Sequence, residues 1–234
     1  MTTERLHPRL HRLALGAFQA YLWADDDGLT LVDTGPAGSG PAIAAALRGL
    51  GHAPGDLRRI VLTHFHDDHA GAAAEVAAWG DVEVVAHAAE APVLRGERPG
   101  PPSAFAPAER DLHARLAAGL PPAPPVRVDR EVTDGDLLDL GGGARVVATP
   151  GHTDGSIALH LPAHRVLFTG DIAAEHGGQV IFGVFHVDRR AAAGSFRRLA
   201  ALDDVDLACF GHGEPVLGGA GDRLRAVTAT LTEL

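Results

Sequence analysis

The stretch Thr63-His64-Phe65-His66-Asp67-Asp68-His69 directly follows the apolar run Ile60-Val61-Leu62. Four side chains in it ligate metal ions well: His64, His66, Asp68 and His69. Neutral imidazole and carboxylate groups are the ligand set that zinc and its first-row neighbours prefer. The stretch therefore predicts a metal centre at the end of a buried strand.

The spacing of these side chains predicts how they could share metal ions. Side chains alternate along an extended segment, so His64 and His66 would project to the same side and could grip one ion together. If the Ala-rich residues 70–79 form a helix, Asp68 and His69 lie at its first turn, displaced along the chain, and this suits a second ion. The alternative is a surface loop rich in His and Asp.

Three later points in the chain carry a further candidate ligand beside glycine, each after a run of β-forming residues. They are Pro150-Gly151-His152, Thr169-Gly170-Asp171 and Gly211-His212-Gly213. Loops that follow strands commonly hold functional groups on a rigid scaffold. We therefore expect His152, Asp171 and His212 to join the first four side chains and complete two metal sites.

This set of motifs resembles the metallo-β-lactamase (MBL) fold superfamily in its dinuclear metallohydrolase form. Seven positions match the ligands of that family in the family's order: His64, His66, Asp68, His69, His152, Asp171 and His212. An early V-D-T-G motif matches at residues 32–35. The motifs extend over residues 32–213, so the resemblance covers nearly the whole chain.

The resemblance implies a fold and a metal centre. The fold would be α+β, an αββα four-layer sandwich of two mixed β-sheets packed face to face with helices on both outer faces. The cofactors would be two divalent ions, Zn²⁺ in the first place, with Fe or Mn as alternatives. The implied ligands are His64, His66 and His152 for the first metal, Asp68, His69 and His212 for the second, and Asp171 bridging both.

The resemblance also implies an activity, that of a metal-dependent hydrolase. A metal-bridging hydroxide would cleave a small ester, thioester, lactone or phosphoester, and Asp68 would be catalytic by passing a proton to the leaving group. The alternative is a mononuclear iron oxidoreductase similar to persulfide dioxygenases, with His64, His152 and Asp171 as its triad. We favour hydrolysis because dinuclear sites of this kind commonly activate water. A metal-bound scaffold without turnover is a third interpretation.

Absent residue types narrow the substrate. The chain contains no Lys and no Asn, and Asp171 stands where subclass B1 β-lactamases have Cys, so β-lactamase activity is not expected. Lysine-based Schiff-base chemistry is excluded for the same reason. Glyoxalase II enzymes carry a sizeable C-terminal helical domain, and since only residues 213–234 follow His212 we do not expect that activity either.

Composition predicts one globular domain over residues 1–234. The hydrophobic content is 46% and the charged content 21%, and no apolar run approaches the roughly 20 residues of a membrane span. No secretory signal is visible at the N-terminus, which predicts a cytoplasmic location. The net charge of −10 argues against nucleic acid, so the expected partner is a small-molecule substrate, without a membrane; a homodimer is allowed.

The pattern along the chain predicts alternating strands and helices. Strands are expected at 18–24, 29–33, 82–86, 136–140, 144–148, 156–161, 165–169 and 206–210, and helices at 41–50, 70–79, 108–120, 188–202 and 222–234. A Pro-rich variable insertion at about 88–125 is expected to form part of the substrate pocket wall. The roles of Asp33, His176 and His186 stay open: Asp33 either orients the metal loop or forms a turn.

Overall fold

The computed structural model describes residues 2–105 and 107–231. Contacts divide the chain into two compact units. The first unit is Met1–Gly100 with Gly119–Val132, and the second is Pro101–Ala118 with Thr133–Leu234. The predicted insertion at 88–125 is thus shared between the units, and the single domain stays a prediction.

The first unit is built on a seven-stranded mixed sheet whose strand order follows the chain. Its strands are β1 (Thr2–His7), β2 (Leu10–Leu15), β3 (Phe18–Asp25), β4 (Gly28–Val32), β5 (Leu57–Val61), β6 (Glu83–His87) and β7 (Arg130–Val132). Strands β1 to β4 are antiparallel neighbours, and β4 to β7 are parallel. An acidic turn joins β3 to β4 as a hairpin, and the two strands lie close to those predicted at 18–24 and 29–33. Strands β1 and β2 have no counterpart in the sequence prediction.

Helices cover this sheet with small and branched apolar side chains. They are α1 (Gly40–Gly49), α2 (Asp67–Ala70), α3 (Ala73–Ala77) and α4 (Ala91–Leu94). Ile43 and Leu47 of α1 and Val76 of α3 are fully buried in the same cluster as Leu22 and Leu31 of the sheet. Burying such side chains contributes about 1.5–3 kcal/mol each.

The predicted helix at 70–79 is wrong in one respect, because it is divided into α2 and α3. The amide of Ala72 donates to the Gly35 carbonyl at 3.2 Å and to Thr34 Oγ1 at 3.2 Å, instead of continuing the helical ladder. The backbone around Ala72 lies so close to residues 34–37 that position 71 requires glycine: a Cβ on Gly71 would lie 2.3 Å from the backbone nitrogen of Ala37. Asp68 and His69 nevertheless lie in a first helical turn, as predicted.

The second unit contains a six-stranded mixed sheet in the order β15-β14-β11-β10-β9-β8. Its strands are β8 (Leu137–Leu138), β9 (Ala144–Ala148), β10 (Ile157–Leu161), β11 (Val166–Phe168), β14 (Leu207–Cys209) and β15 (Val216–Leu217). A separate hairpin joins β12 (Ala173–His176) to β13 (Gln179–Phe182). Because β9 and β11 are both antiparallel to β10, and β14 is parallel to β11, the strands β9, β11 and β14 run in the same direction.

Among the described residues of the second unit, the α-helices are α5 (Pro107–Leu116), α6 (Arg189–Ala200) and α7 (Ala220–Thr228). Phe196 and Leu199 of α6 and Leu224 of α7 are fully buried in one cluster with Phe210 and Val147. Helix α6 begins where it was predicted, with Asp188 as its N-cap accepting from the Ala191 amide at 2.9 Å. Helices α5 and α7 end earlier than predicted, and residues 232–234 of the last prediction lie outside the described residues.

Two mixed sheets with associated helices agree with the predicted α+β class. Cys209 is buried in β14. Within the described ranges, no helix has both the length and the apolar character that crossing a bilayer requires.

Candidate metal centre

In the first unit, the candidate ligands follow the central parallel strands. Asp33 comes directly after β4, the stretch from Thr63 to His69 follows β5, and Glu90 lies three residues after β6. Parallel strands gather their carboxyl ends at one edge of a sheet, where loops converge. The sequence motif is therefore held between two neighbouring loops.

The four candidate ligands of this unit lie close together. The ring centroids of His64 and His69 are 4.1 Å apart, and those of His64 and His66 are 4.7 Å apart. Asp68 Oδ2 lies 3.7 Å from His69 Nε2. His64 and His69 are fully buried, whereas Asp68 is partly exposed. The first unit thus presents three imidazoles and one carboxylate in one place.

The Asp33 carboxylate orients two of these imidazoles. It accepts hydrogen bonds from the Thr63 amide at 2.8 Å, the Thr63 hydroxyl at 2.8 Å and His69 Nδ1 at 2.9 Å. A carboxylate only accepts, so His69 carries its proton on Nδ1. The Thr63 hydroxyl has given its one proton to Asp33, and it must accept from His64 Nδ1, 3.0 Å away. Both imidazoles therefore keep an Nε2 lone pair for a metal ion.

Thr34 holds the backbone of the same loop. Its amide and its hydroxyl both donate to the His69 carbonyl, at 2.7 and 2.8 Å. Asp33 adopts a left-handed conformation (φ 57°), which Asp tolerates better than most residues. The V-D-T-G motif thus fixes both the ring and the main chain of His69, and the orienting function of Asp33 is what its contacts favour over a simple turn.

Two further carboxylates support the loop and were missed from the sequence. Glu90 is 1% exposed and accepts from the Phe65 amide at 2.8 Å, between the first two histidines. Asp67 accepts from the Ala123 amide at 2.7 Å, which ties the Pro-rich residues of the insertion to the metal loop. The signal for Glu90 was its position just past a buried strand that neighbours β5.

In the second unit, three loops at the carboxyl ends of strands of equal direction carry the other candidates. His152 follows β9, Asp171 follows β11 and His212 follows β14. Asp171 Oδ2 lies 3.6 Å from His152 Nε2 and 3.3 Å from His212 Nε2. His152 is 1% exposed, while the side chain of His212 is 37% exposed. The carboxylate is therefore central to the group.

These separations fit a shared ion better than hydrogen bonds. Charge-assisted N–H···O bonds are about 2.7–2.9 Å long. Two ligand atoms bound tetrahedrally to zinc at about 2.0–2.2 Å lie roughly 3.3–3.6 Å apart. Asp171 stands at 3.6 and 3.3 Å from its imidazoles and Asp68 at 3.7 Å from His69, whereas the orienting Asp33 stands at 2.9 Å. The donor set and its spacing fit divalent ions.

Close backbone packing holds the His152 loop against α6. A Cβ on Gly151 would lie 2.1 Å from the Ala192 nitrogen, and its φ is +125°. The Gly151 carbonyl accepts from the Asp188 amide at 2.9 Å, and the Ser195 hydroxyl donates to the Pro150 carbonyl at 2.7 Å. Only glycine fits at position 151, so the N-terminus of α6 sets where the imidazole lies.

Of the two histidines left open, one lies beside the ligands and one does not. His186 is 2% exposed, and its ring centroid lies 5.5 Å from that of His152. Burial lowers the pKa of His186 to about 4, so this ring is neutral at pH 7. His176 is exposed on β12.

Comparison with known proteins identifies the family of this chain. The family model described as the metallo-beta-lactamase superfamily matches residues 17–212. The probable metallo-hydrolase YflN of Bacillus subtilis (strain 168) is 32% identical over 216 residues, covering 83% of this chain and 79% of that protein. A hydroxyacylglutathione hydrolase of Cereibacter sphaeroides is 31% identical over 174 residues; the match covers 74% of this chain but only 54% of that relative.

A solved structure shows the same fold. The crystal structure of a metallo-beta-lactamase family protein from Thermus thermophilus superposes with a TM-score of 0.71 at 27% sequence identity, covering 97% of this chain and 80% of that one. This likeness confirms the fold class predicted from the motifs. With the family match over most of its length, the chain belongs to the metallo-β-lactamase superfamily and is a metallo-hydrolase of that fold.

Proposed function

We propose that this metallo-hydrolase cleaves a small ester, thioester, lactone or phosphoester with two divalent ions, zinc in the first place. The seven proposed ligands are His64, His66, Asp68 and His69 of the first unit and His152, Asp171 and His212 of the second. The assignment of three ligands to each ion, with Asp171 shared, is carried over from the family motif.

One observation carries the proposal. In each unit a carboxylate oxygen lies 3.3–3.7 Å from imidazole Nε2 atoms, which is close to the separation of ligands around a common ion. In the first unit, His69 Nδ1 donates to Asp33 and His64 Nδ1 donates to Thr63, so each ring presents its Nε2 lone pair as a ligand for its own metal ion.

The residues would divide the work of hydrolysis. When bound, a pair of divalent ions supplies Lewis acidity towards water and towards the scissile carbonyl or phosphoryl group. One water molecule is consumed: its oxygen bonds to the carbonyl carbon or phosphorus, the bond to the leaving oxygen or sulfur breaks, and the leaving group receives a proton. We assign that proton transfer to Asp68, the partly exposed carboxylate of the first unit.

The substrate class extends to thioesters because of the relatives. One is named as a hydrolase of hydroxyacylglutathione, and the chain spans about half of its length. An acyl-coenzyme A thioesterase of Gallus gallus is another relative, 36% identical over 126 residues. Both names favour an acyl group bonded to sulfur among the bonds that this site would cleave.

Metal content and turnover test the proposal together. The protein is purified without chelator, its metals are measured by elemental mass spectrometry per chain, and hydrolysis of an ester, thioester, lactone and phosphoester panel is followed with and without chelation. We expect about two zinc ions, or a mixed pair, per chain and turnover that chelation removes. About one iron per chain with oxygen uptake on a persulfide would instead identify the oxidoreductase alternative.

A further inference from the structure

Three aromatic rings form a half-buried cluster in the second unit. The ring of Phe185 lies 5.1 Å from that of His113 and 5.9 Å from that of Phe105, and the rings of Phe105 and His113 are 4.6 Å apart. His113 belongs to α5, while Phe185 lies in the loop between β13 and α6. We call these three side chains the aromatic wall.

Two polar contacts hold the aromatic wall together from outside. The Ala104 amide donates to the His186 carbonyl at 2.8 Å, next to Phe185. The Arg189 guanidinium pairs with the Glu109 carboxylate at 3.2 Å and lies 5.3 Å from the centre of the Phe182 ring. The residues just before α5 are therefore bonded to the loop that carries Phe185, α5 itself is paired with the start of α6, and Arg189 is already engaged with a carboxylate.

The loop of Phe185 passes beside two of the proposed ligands. Gly183 donates to the Ile172 carbonyl at 3.0 Å, and a Cβ on Gly183 would lie 1.9 Å from the Asp171 carbonyl oxygen. His186 contacts His152 on the other side of Phe185 in the sequence. The aromatic wall thus starts within a few residues of the backbone that positions Asp171 and His152.

Phe185 is held in a strained conformation. Its φ is +63°, which costs a bulky residue about 1–3 kcal/mol and is found mostly where the fold has a use for it. Phe185 is only half-buried, so burial in a core does not account for the strain. Half-exposed aromatic rings that line the rim of a site are a common means of binding apolar groups.

We propose that the aromatic wall binds the acyl portion of the substrate and selects medium-length or aromatic acyl groups over acetyl. This inference rests on the proposed hydrolysis of esters and thioesters. The recognised group is apolar, because the two phenylalanine rings supply apolar surface and the Arg189 guanidinium is paired with Glu109.

A matched acyl series tests the proposal. We would measure kcat/KM of the metal-loaded protein for acetyl, butyryl, hexanoyl and octanoyl thioesters with one leaving group. The variants are Phe185→Gly, which removes the ring and relieves the backbone strain, and His113→Ala on α5. The control is Leu116→Ala, which removes an apolar side chain that is 55% exposed on the same helix.

We expect the unchanged protein and the Leu116→Ala control to favour octanoyl over acetyl by about tenfold or more, since one methylene in a closed pocket is worth about tenfold. Phe185→Gly and His113→Ala should reduce that ratio to below about threefold. His113→Phe keeps an aromatic ring at this position and should retain the octanoyl preference of the unchanged protein. An acyl preference that is absent at the outset, or that survives in both variants, overturns the proposal.

Binding without turnover separates this inference from the proposed function. Titration calorimetry compares octanoate with acetate as probes on the metal-loaded protein and on Phe185→Gly. Octanoate that binds about tenfold more tightly than acetate, with that difference lost in the variant, supports the aromatic wall even if no ester is cleaved. Equal binding of octanoate by both proteins overturns the proposed acyl binding by the aromatic wall. Hydrolysis of the ester, thioester, lactone or phosphoester substrates would still support the proposed function.

Discussion

The two clusters of candidate ligands are positioned in different ways. In the first unit, four ligands lie within one short stretch, and side chains hold them: Asp33 and Glu90 accept hydrogen bonds from the loop. In the second unit, the ligands come from three separate loops, and close backbone packing holds them, as at Gly151 against α6. Buried carboxylates position the ligands of the first cluster, whereas a glycine without a Cβ allows the close backbone packing that positions a ligand of the second cluster.

This difference predicts that the two clusters respond to different kinds of substitution. An isosteric change at a carboxylate should disturb the first cluster, since it alters hydrogen bonding without altering volume. The smallest possible addition of volume should disturb the second cluster. A change in a proposed ligand should exceed both effects.

Replacement of Asp171 by Ala is expected to have the largest effect. Asp171 is the carboxylate shared by His152 and His212, so we expect at least a thousandfold loss in kcat/KM and a lower metal content per chain. Asp154→Ala is the control, because Asp154 is an exposed carboxylate of the His152 loop. Elemental analysis and panel kinetics measure both; full metal content with full activity in Asp171→Ala would refute the bridging role.

Replacement of Gly151 by Ala should come next. The new Cβ would lie 2.1 Å from a backbone nitrogen at a φ of +125°, so we expect a loss of about 3 kcal/mol or more in the free energy of unfolding. Gly194→Ala is the matched control in α6, where a Cβ meets nothing within 4 Å. That change should stabilise the protein by up to about 1 kcal/mol. Urea unfolding measures both, and equal stability of the two variants would contradict the packing argument.

Replacement of Asp33 by Asn sharpens the comparison on the other side. One oxygen can still accept from the Thr63 amide, but the amide nitrogen would face His69 Nδ1 donor to donor. His69 would then favour the other tautomer and lose its Nε2 lone pair, so we expect about a 10–100-fold weaker metal affinity. Competition with a chelator measures the metal affinity. Asp27→Asn, the same change in the exposed turn between β3 and β4, is the control. Affinity within twofold of the original would exclude the orienting role.

The smallest expected effect is a pH dependence away from both clusters. Burial of His160 lowers its pKa below 6.5, Arg145 on the neighbouring strand acts in the same direction, and Asp204 opposes them. Below pH 6.5 the unfolded chain binds a proton at His160 that the folded chain does not. The free energy of unfolding is therefore at its full value above pH 6.5 and decreases as the pH falls below it.

His160→Leu isolates this contribution. The free energy of unfolding of the unchanged protein should fall relative to that of the variant by at most about 1.4 kcal/mol per pH unit between pH 6.5 and 5. Urea unfolding at both pH values measures the difference. A constant difference between the two proteins would show that His160 does not contribute.

Much of the fold could be predicted because the strands before the ligand motifs are apolar runs that end at glycine or aspartate. Strands β3 to β6 and β9 to β11 lie close to their predicted positions. The hairpin β12–β13 was not predicted, since residues 173–182 mix apolar and polar types without a clear period. The division between α2 and α3 depends on Thr34 and Gly35, distant residues that no local helix propensity reveals.

The candidate ligands could be read from the sequence, and their metal binding stays a prediction, whereas the residues that support them were not predicted. Histidines and aspartates at short spacing can be recognised in the sequence as candidate ligands. Glu90 and Ser195 belong to no such motif, and their contacts depend on the fold. The role of His186 stayed open from the sequence, and its burial beside His152 required the structure. The wall of Phe105, His113 and Phe185 joins positions far apart in the chain, which no periodicity connects.

The bond between His69 and Asp33 has a consequence for protein engineering. The partner of the ring comes from 36 positions earlier in the chain, across α1 and a parallel crossover. A designer who transplants the short histidine stretch into another scaffold would move four ligands but leave behind the carboxylate that chooses their tautomers. The smallest portable module is therefore the whole β4-α1-β5-α2 segment, from Gly28 to Ala70.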